Sequence, residues 1–134
     1  MEYCKIDGIN FPVTLTSISE NFNILYSEST GRTIAPGARM TLSPLGTFYG
    51  HKVTFKRKNG YEYEYDRLFD ELSRPRTDGI LVELVHGQTS IAYEAYVSSG
   101  ERALKKIDLA TGKVYWDEFS ANFIPMEAQV KPLE

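Results

Sequence analysis

Two histidines and three neighbouring carboxylates are the side chains of this 134-residue chain best suited to acid–base or metal chemistry. His51 and His86 are far apart in the sequence and lack the short spacing of paired metal ligands. Asp66, Asp70 and Glu71 lie together on a predicted helix, where a solvated, locally paired face explains them better than a catalytic pair. We therefore predict no catalytic residues and no metal site.

The remaining reactive groups do not form a recognisable motif. Cys4 is the only cysteine, so neither an intrachain disulfide nor a cysteine-based metal cluster can form. The sequence contains no glycine-rich phosphate loop and no serine in a nucleophile elbow. Lys56-Arg57-Lys58 could contact phosphate or an acidic partner, although so short a basic run beside a turn usually serves solubility. We expect no cofactor and no enzymatic activity.

Composition and charge narrow the classes of partner. The net charge is -3 and the pI is near 5.5, which argues against a strongly basic nucleic-acid binder and predicts no sequence-specific nucleic acid as a partner. The N-terminus lacks the pattern of a signal peptide, and the longest apolar stretch, residues 80–85, is too short to span a bilayer. We expect a protein made in a cytoplasm and without a membrane anchor.

Patterns of alternating apolar and polar residues predict strands over most of the chain. They cover residues 3–6, 9–15, 18–26 and 47–58, followed by a meander at 80–85, 89–97, 102–109 and 113–124. Pro12 places its strand at a sheet edge, and the apolar set around Trp116 and Phe119 predicts a bulge at residues 117–119. The tail, residues 125–134, reads as irregular.

One helix interrupts this β pattern. Leu68, Phe69 and Leu72 have helical spacing ahead of Pro75, which predicts a helix over residues 65–73 after a strand or turn at 61–64. We predict one domain, residues 1–134, that is mainly β (α+β): an antiparallel β-sandwich or barrel flanked by one short helix. Its expected core includes Phe55, Leu68, Phe69, Leu84, Ile91, Tyr93 and Trp116.

Residues 27–46 form the longest irregular segment in the sequence. They are rich in Gly, Ser, Thr and Pro, and a loop this long inside a small domain is usually functional or disordered. We predict a long extended loop, with a short strand at 39–42, that is mobile in the free subunit and becomes ordered at a subunit interface. Its scattered apolar and cationic side chains are the candidate interface residues: Arg32, Ile34, Arg39, Met40 and Leu42.

The order of these features resembles small structural tail proteins of long-tailed bacteriophages and prophages. The matching pieces are the opening Lys-Ile-Asp-Gly-Ile-Asn at 5–10, the loop with Gly31-Arg32 and Pro36-Gly37, the basic strand, the short helix and the closing Trp116 and Pro125. The resemblance implies a β-sandwich or barrel that assembles into a homo-oligomeric ring, or connects the tail tube to its tip, without catalytic residues. It also implies neighbouring phage tail proteins as partners and a location in the virion tail, after synthesis in the host bacterial cytoplasm.

Two other function classes remain open at this point. The chain could be a monomeric carbohydrate- or peptide-binding β-sandwich module that uses its tyrosine-rich surface, or a small hydrolase or isomerase with a barrel-shaped pocket. A ring subunit is expected to be multimeric alone or with a partner, whereas a binding module stays monomeric. An enzyme is expected to have a deep cavity with buried polar groups.

Overall fold

The computed structural model describes residues 4–28, 30–32, 36–97 and 99–132. This part of the chain is mainly β with one helix, which confirms the predicted fold class. No helix within these ranges is long and apolar enough to cross a membrane. The elements in chain order are β1 (Cys4–Ile6), β2 (Thr14–Tyr26), β3 (Gly31–Arg32), β4 (Met40–Thr41), β5 (Pro44–Lys56), α1 (Glu62–Ser73), β6 (Ile80–His86), β7 (Thr89–Tyr96), β8 (Gly100–Asp108) and β9 (Lys113–Pro125).

Seven of the strands form one antiparallel sheet that bends around a single core. The strand order is β1-β6-β7-β9-β5-β2, and β8 pairs with β9 beside β7. His51 on β5 joins separated parts of the sheet: its Nε2 lies 2.8 Å from the Val85 carbonyl oxygen on β6, and its Nδ1 lies 2.8 Å from the Tyr93 hydroxyl on β7. The sheet therefore folds over on itself, as expected for a sandwich or barrel.

The core lies between the folded sheet and one face of α1. The helix contributes Tyr65, Leu68 and Leu72, while β5, β6, β7 and β9 contribute alternate residues. The predicted core set is confirmed: Phe55, Leu68, Leu84 and Tyr93 are buried, and Phe69, Ile91 and Trp116 are partly buried against them.

The helix begins at Glu62, earlier than predicted, so the strand or turn interpretation of residues 61–64 is wrong for most of that segment. Gly60, with φ of +87°, turns the chain after β5. Glu62 and Glu64 then occupy the first turn, where acidic side chains favour the positive end of the helix dipole. Helical spacing leaves Tyr63 86% exposed, whereas Tyr65 is buried.

The long loop predicted over residues 27–46 is shorter and more regular than expected. β5 already begins at Pro44, and the connection from β2 contains the small β3–β4 ladder. The Ser27 amide donates to the Ser43 carbonyl over 2.8 Å, and the Ser43 amide donates to Thr30 Oγ1 over 2.9 Å. Backbone hydrogen bonds extend this hairpin past the alternating apolar pattern, because they do not depend on side-chain type.

Strand β9 contains the predicted bulge. Phe119 pairs with Arg102 and Trp116 pairs with Leu104, so two residues of β9 lie opposite Ala103 alone. Because the bulge shifts the side-chain alternation, Trp116 and Phe119 can both reach the interior.

The segment after β9 is largely irregular, as predicted for the tail, but it is held against β5. We call residues 126–132 the C-terminal strap. The Thr47 amide donates to the Val130 carbonyl over 2.8 Å. The Gln129 side chain accepts from the Tyr49 amide (3.1 Å) and donates to the Tyr49 carbonyl (3.0 Å), as a neighbouring strand would. The strap therefore covers an edge of β5 that β9 does not reach.

Candidate subunit interface

The outer half of the β2–β5 hairpin continues beyond the core. We call residues 21–49 the distal arm; it comprises the last part of β2, the first part of β5 and the connection between them. None of its described residues belongs to the core cluster, whereas Val13, Leu15 and Ile18, nearer the start of the hairpin, do pack against it. The arm is therefore held mainly by its own backbone ladder and by the C-terminal strap.

The distal arm exposes an unusual amount of apolar surface. Phe22 is 66% exposed, and Leu42 and Leu45 are 57% and 56% exposed. The other large apolar side chains exposed on the arm are Ile24, Leu25, Tyr26 and Met40. Contiguous exposed apolar surface on a globular protein commonly marks an interaction site.

Strand register explains why these side chains are uncovered. Glu20 pairs with His51, Phe22 with Tyr49 and Ile24 with Thr47. Directly paired residues of an antiparallel ladder lie on the same face, so this row continues the face on which His51 is buried. The β6–β7 hairpin covers the row at His51, where His86 contacts the Tyr49 ring, and Phe22 lies beyond that cover.

The structure brings four of the five predicted interface residues together at the end of the arm. Arg32 pairs with Met40 across the β3–β4 ladder, and its Nη1 donates to the Ala38 carbonyl over 3.3 Å. Arg39 and Leu42 are exposed beside this ladder. Ile34 lies outside the described residues. The prediction that these side chains form a subunit interface stays a prediction.

Sequence reasoning missed the apolar residues on the strands of the arm. Phe22, Ile24 and Leu25 were assigned to a half-buried strand, and nothing in their alternation says which part of a strand is covered. The available signal was length, since β2 and β5 span 13 residues each, against a usual 5–6 or so. Strands that long extend past a core built by a 12-residue helix.

The strands on both sides of β5 and β9 present exposed sheet edges. Among the described residues β2 pairs only with β5, and β8 pairs only with β9, so these two strands border the ladder β2-β5-β9-β8. Leu104 and Ile107 on β8 are about half exposed, and Leu109 in the following turn is 91% exposed. The ladder therefore has two long free edges, each carrying exposed apolar side chains.

A carboxylate between two histidines anchors the root of the arm. Glu20 Oε2 lies 2.7 Å from His86 Nδ1 and 3.1 Å from His51 Nε2. Desolvation, and then the negative charge of Glu20, raise the pKa of Tyr93, whose hydroxyl contacts His51. Within the described ranges no group of three or more His, Cys, Asp and Glu side chains has the geometry of a metal site. The cluster ties β2 and β5 to the end of the β6–β7 hairpin.

A cavity of about 440 Å³ lies at the C-terminal end of α1. Its lining includes apolar core residues such as Leu72, Ile80 and Ala95, with Glu71, Arg74 and Arg76 among the charged ones. Arg76 is held by Asp7 and Glu71, at 3.0 Å and 2.7 Å. Every fully buried side-chain polar atom in the described part of the chain has a hydrogen-bond partner. The charged groups that line the cavity, Glu71, Arg74 and Arg76, are thus already engaged in ion pairs.

The geometry thus contains a surface suited to association with another chain and, beside the helix, a partly open cavity. The surface combines the apolar arm with two strand edges that are unpaired among the described residues. Neither a scan against protein-family models nor a search of curated proteins found a match to this chain.

Proposed function

We propose that this chain is a structural subunit of a bacteriophage tail, which assembles head to tail through the outer edges of β2 and β8 into a ring of the tail tube or of its connection to the tip. The observation that carries the proposal is the ladder β2-β5-β9-β8, whose two border strands are both long and unpaired among the described residues. Unpaired strand edges are templates for adding a strand from another chain.

The direction of the strands supports a second copy as the partner. Each neighbouring pair in the ladder is antiparallel, so β2 and β8 run in opposite directions. The β2 strand of one copy can therefore pair with β8 of the next in the antiparallel sense that the sheet already uses. A contact between two different surfaces of the same protein produces a ring when the rotation closes.

The exposed side chains support association by burial. Phe22, Ile24 and Leu25 on one border strand and Leu104 and Ile107 on the other leave apolar surface in water. Removing such surface from water contributes roughly 25 cal/mol for each Å² buried. The predicted interface residues at the tip of the arm would extend the same contact toward a neighbouring copy or a neighbouring tail protein.

Matched substitutions test the assembly interface. We expect Leu25→Asp on β2 and Ile107→Asp on β8 each to lower the oligomeric state measured by light scattering after size exclusion. Leu81→Asp on β6 is the control, because Leu81 is about as exposed as Leu25 but lies on neither border strand. A wild-type protein that is monomeric at every concentration, alone and with adjacent tail proteins, would contradict the proposal.

A mixing experiment tests the head-to-tail arrangement itself. Each single variant retains one intact border strand, so an equimolar mixture of the Leu25→Asp and Ile107→Asp chains is expected to form heterodimers through the one intact junction. A self-complementary pairing of β2 with β2 predicts a different result: only Leu25→Asp lowers the oligomeric state, and the Ile107→Asp chain still forms a homodimer. Closed rings in electron micrographs of the wild-type protein, and tail genes next to its own gene, would support the phage assignment.

The second candidate is a monomeric carbohydrate- or peptide-binding module, and the observation that favours it is the cavity beside α1. Its volume of about 440 Å³ falls in the usual range for small-ligand sites, roughly 300–1,000 Å³. Saturable binding of a sugar or short peptide by a protein that stays monomeric, abolished by Ala95→Trp in the cavity wall, would favour this function over assembly.

A further inference from the structure

A cluster of basic and aromatic side chains lies at the end of β5 opposite to the distal arm. We call it the basic face; its members come from the end of β5, from the turn after it, from β8 and from β9. They are Lys56, Arg57, Lys58, Lys105, Lys106 and Lys113, together with the aromatic residues Tyr115 and Trp116. The sequence indicated only the first three as a basic run, and the folding of the β8–β9 hairpin adds the others.

Aromatic rings hold several of these cations in place. The Arg57 guanidinium lies 4.6 Å from the centre of the Tyr115 ring, and the Lys106 ammonium lies 5.0 Å from the same centre. The Lys58 ammonium lies 5.5 Å from the centre of the Tyr61 ring. Contact with a ring face positions a cation without neutralising its charge, so these groups remain able to bind an anion.

The cations of the basic face have few local counter-charges, unlike four arginines elsewhere in the molecule. Outside it, Arg67, Arg74, Arg76 and Arg102 each have a carboxylate within ion-pair distance. Among the described residues only Lys113 of the basic face has one, Glu62 at 3.7 Å. Five cations thus lie close together without a carboxylate in ion-pair contact, although the protein as a whole is acidic.

The carboxyl group of Glu62 lies at the border of the basic face, beside Lys113. Its own backbone amide is the main cause that lowers its pKa, and the charges of Lys113 and Arg57 lower the pKa further. A groove of about 320 Å³ lies alongside, lined by Lys56, Arg57, Lys105 and Trp116. Asp117 and Glu118 line the same groove, and their charge disfavours an anion near them. Lys106 does not line this groove and contacts the Tyr115 ring, so an anion is best placed toward Lys106.

We propose that the basic face binds a phosphodiester polymer without sequence preference. Several cations spaced over three chain segments suit a repeating anion better than a single small one, because each neutralised phosphate releases counter-ions. Guanidinium and ammonium groups are the usual phosphate ligands of proteins. Nucleic acid and phosphodiester polymers of a cell wall share this chemistry. The site goes beyond the proposed assembly function, but Lys105 and Lys106 lie on β8, one of the two border strands of that assembly, so the experiment separates the two.

The test compares two triple variants that change the net charge equally. Lys56→Gln/Lys105→Gln/Lys106→Gln removes exposed cations of the basic face and leaves Arg57 on its ring. The control, Lys52→Gln/Arg74→Gln/Lys131→Gln, removes three exposed cations elsewhere. The probes are labelled single-stranded oligo(dT), a DNA duplex of the same length and poly(glycerol phosphate). Binding is followed by fluorescence anisotropy across a salt series.

We expect the wild-type protein to bind at least one of these polymers with a strong salt dependence. The basic-face variant is expected to bind at least tenfold more weakly, and the slope of log affinity against log salt to fall by about 2, since each lost phosphate contact removes about 0.7–0.9. The control and a Lys56→Arg/Lys105→Arg/Lys106→Arg variant are expected to bind as the wild type does. The three probes also distinguish nucleic acid from wall polymer as the source of the phosphodiester.

Two results would overturn the proposal. One is the absence of binding to all three probes at about 50 mM salt, where phosphate contacts are strong. The other is an equal loss of affinity in the two triple glutamine variants, which would mean that overall charge alone is responsible. Because Lys105 and Lys106 lie on β8, the Leu25→Asp chain is measured as well. Retained binding by that chain separates the basic face from assembly, and equal thermal melting of the variants excludes unfolding.

Discussion

The two halves of the β2–β5 hairpin have similar side chains and opposite surroundings. In the inner half, Val53 and Phe55 are completely buried between the folded sheet and α1. In the outer half, Phe22 and Leu45 are more than half exposed on strands of the same ladder. A strand's apolar residues therefore become part of the core only where another element packs on them. The helix and the β6–β7 hairpin are too short to cover the arm.

The outer half is held by backbone contacts in place of side-chain burial. Gly46, with φ of +148°, allows the C-terminal strap to approach closely: a side chain there would place Cβ about 2.6 Å from the Ala128 Cβ. The Gln129 side chain then forms hydrogen bonds with the backbone amide and carbonyl of Tyr49. The arm is therefore ordered by hydrogen bonds, which leaves its apolar surface available for a partner.

The largest expected contrast comes from the same substitution in the two halves. We expect Phe55→Ala to lower the free energy of unfolding by about 3–5 kcal/mol, because it leaves a cavity in the core. Phe22→Ala is expected to change it by less than about 0.5 kcal/mol in a monomeric background, because its ring is exposed. Urea denaturation of the Leu25→Asp chain carrying each change measures both values. Similar losses of unfolding free energy for the two variants would contradict the division of the hairpin into a buried inner half and an exposed outer half. Phe55→Leu serves where Phe55→Ala does not fold.

Alkaline pH should destabilise the core against which the inner half packs, because Cys4 and Tyr65 are buried in it. Burial raises the pKa of the Cys4 thiol from 9.0 to about 12 and that of the Tyr65 hydroxyl from 10.0 to about 12. Above pH 9.0 the unfolded chain releases protons that the folded chain keeps, so stability is retained below that pH and falls as pH rises toward 12. The shifted pKa of the Cys4 thiol alone corresponds to a loss of unfolding free energy on the order of 4 kcal/mol once the pH has reached the folded-state pKa.

Urea midpoints between neutral and alkaline pH measure this effect. Cys4→Ala is the matched variant, because it removes the group that begins to titrate first; its stability should fall less steeply with rising pH than that of the wild type. Identical pH profiles for the two proteins would show that the thiol is accessible to water in the folded state.

Closing the space at Gly46 should loosen the arm without unfolding the core. We expect Gly46→Ala to cost about 1–3 kcal/mol, since it adds both a clash and a left-handed backbone to a non-glycine residue. Gly31→Ala is the matched control, because a Cβ there meets no atom within 4 Å. Hydrogen exchange at the Thr47 amide, which bonds to Val130, should accelerate only in the first variant. Unchanged protection would mean that the strap does not secure the arm.

The smallest effect is expected at the root of the arm. Glu20→Gln keeps the shape of the side chain but removes the charge shared by His51 and His86, and we expect a loss of about 0.5–1.5 kcal/mol. Glu127→Gln, in the exposed strap, serves as the control. Thermal melting of the two variants at pH 7 compares them. An equal change in melting temperature for both variants would show that the cluster of Glu20, His51 and His86 does not join the arm to the β6–β7 hairpin.

The spacing of apolar residues predicted those elements in which that spacing matches the periodicity of a helix or a strand. The spacing of Leu68, Phe69 and Leu72 predicted the helix and its buried face, and the irregular apolar spacing from Trp116 to Phe119 predicted the bulge in β9. The helix start was wrong because Tyr61 and Tyr63 alternate with glutamates, as in a strand, and short apolar patterns do not separate the two structures. In the structure, Gly60 turns the chain with a positive φ, and the helix begins at Glu62, directly after that turn.

The β-rich character of the chain, its one helix, its single cysteine and the basic run at residues 56–58 could all be predicted from the sequence. Those properties follow from composition and from spacing along the chain. The folded structure was needed to see that Phe22 is exposed while Phe55 is buried. It was also needed to see that His51 and His86 both contact Glu20, and that Arg57 and Lys106 contact the same Tyr115 ring. The reason is physical. Burial and charge pairing depend on which elements pack together in the fold, and neither strand alternation nor residue type reveals which elements do so.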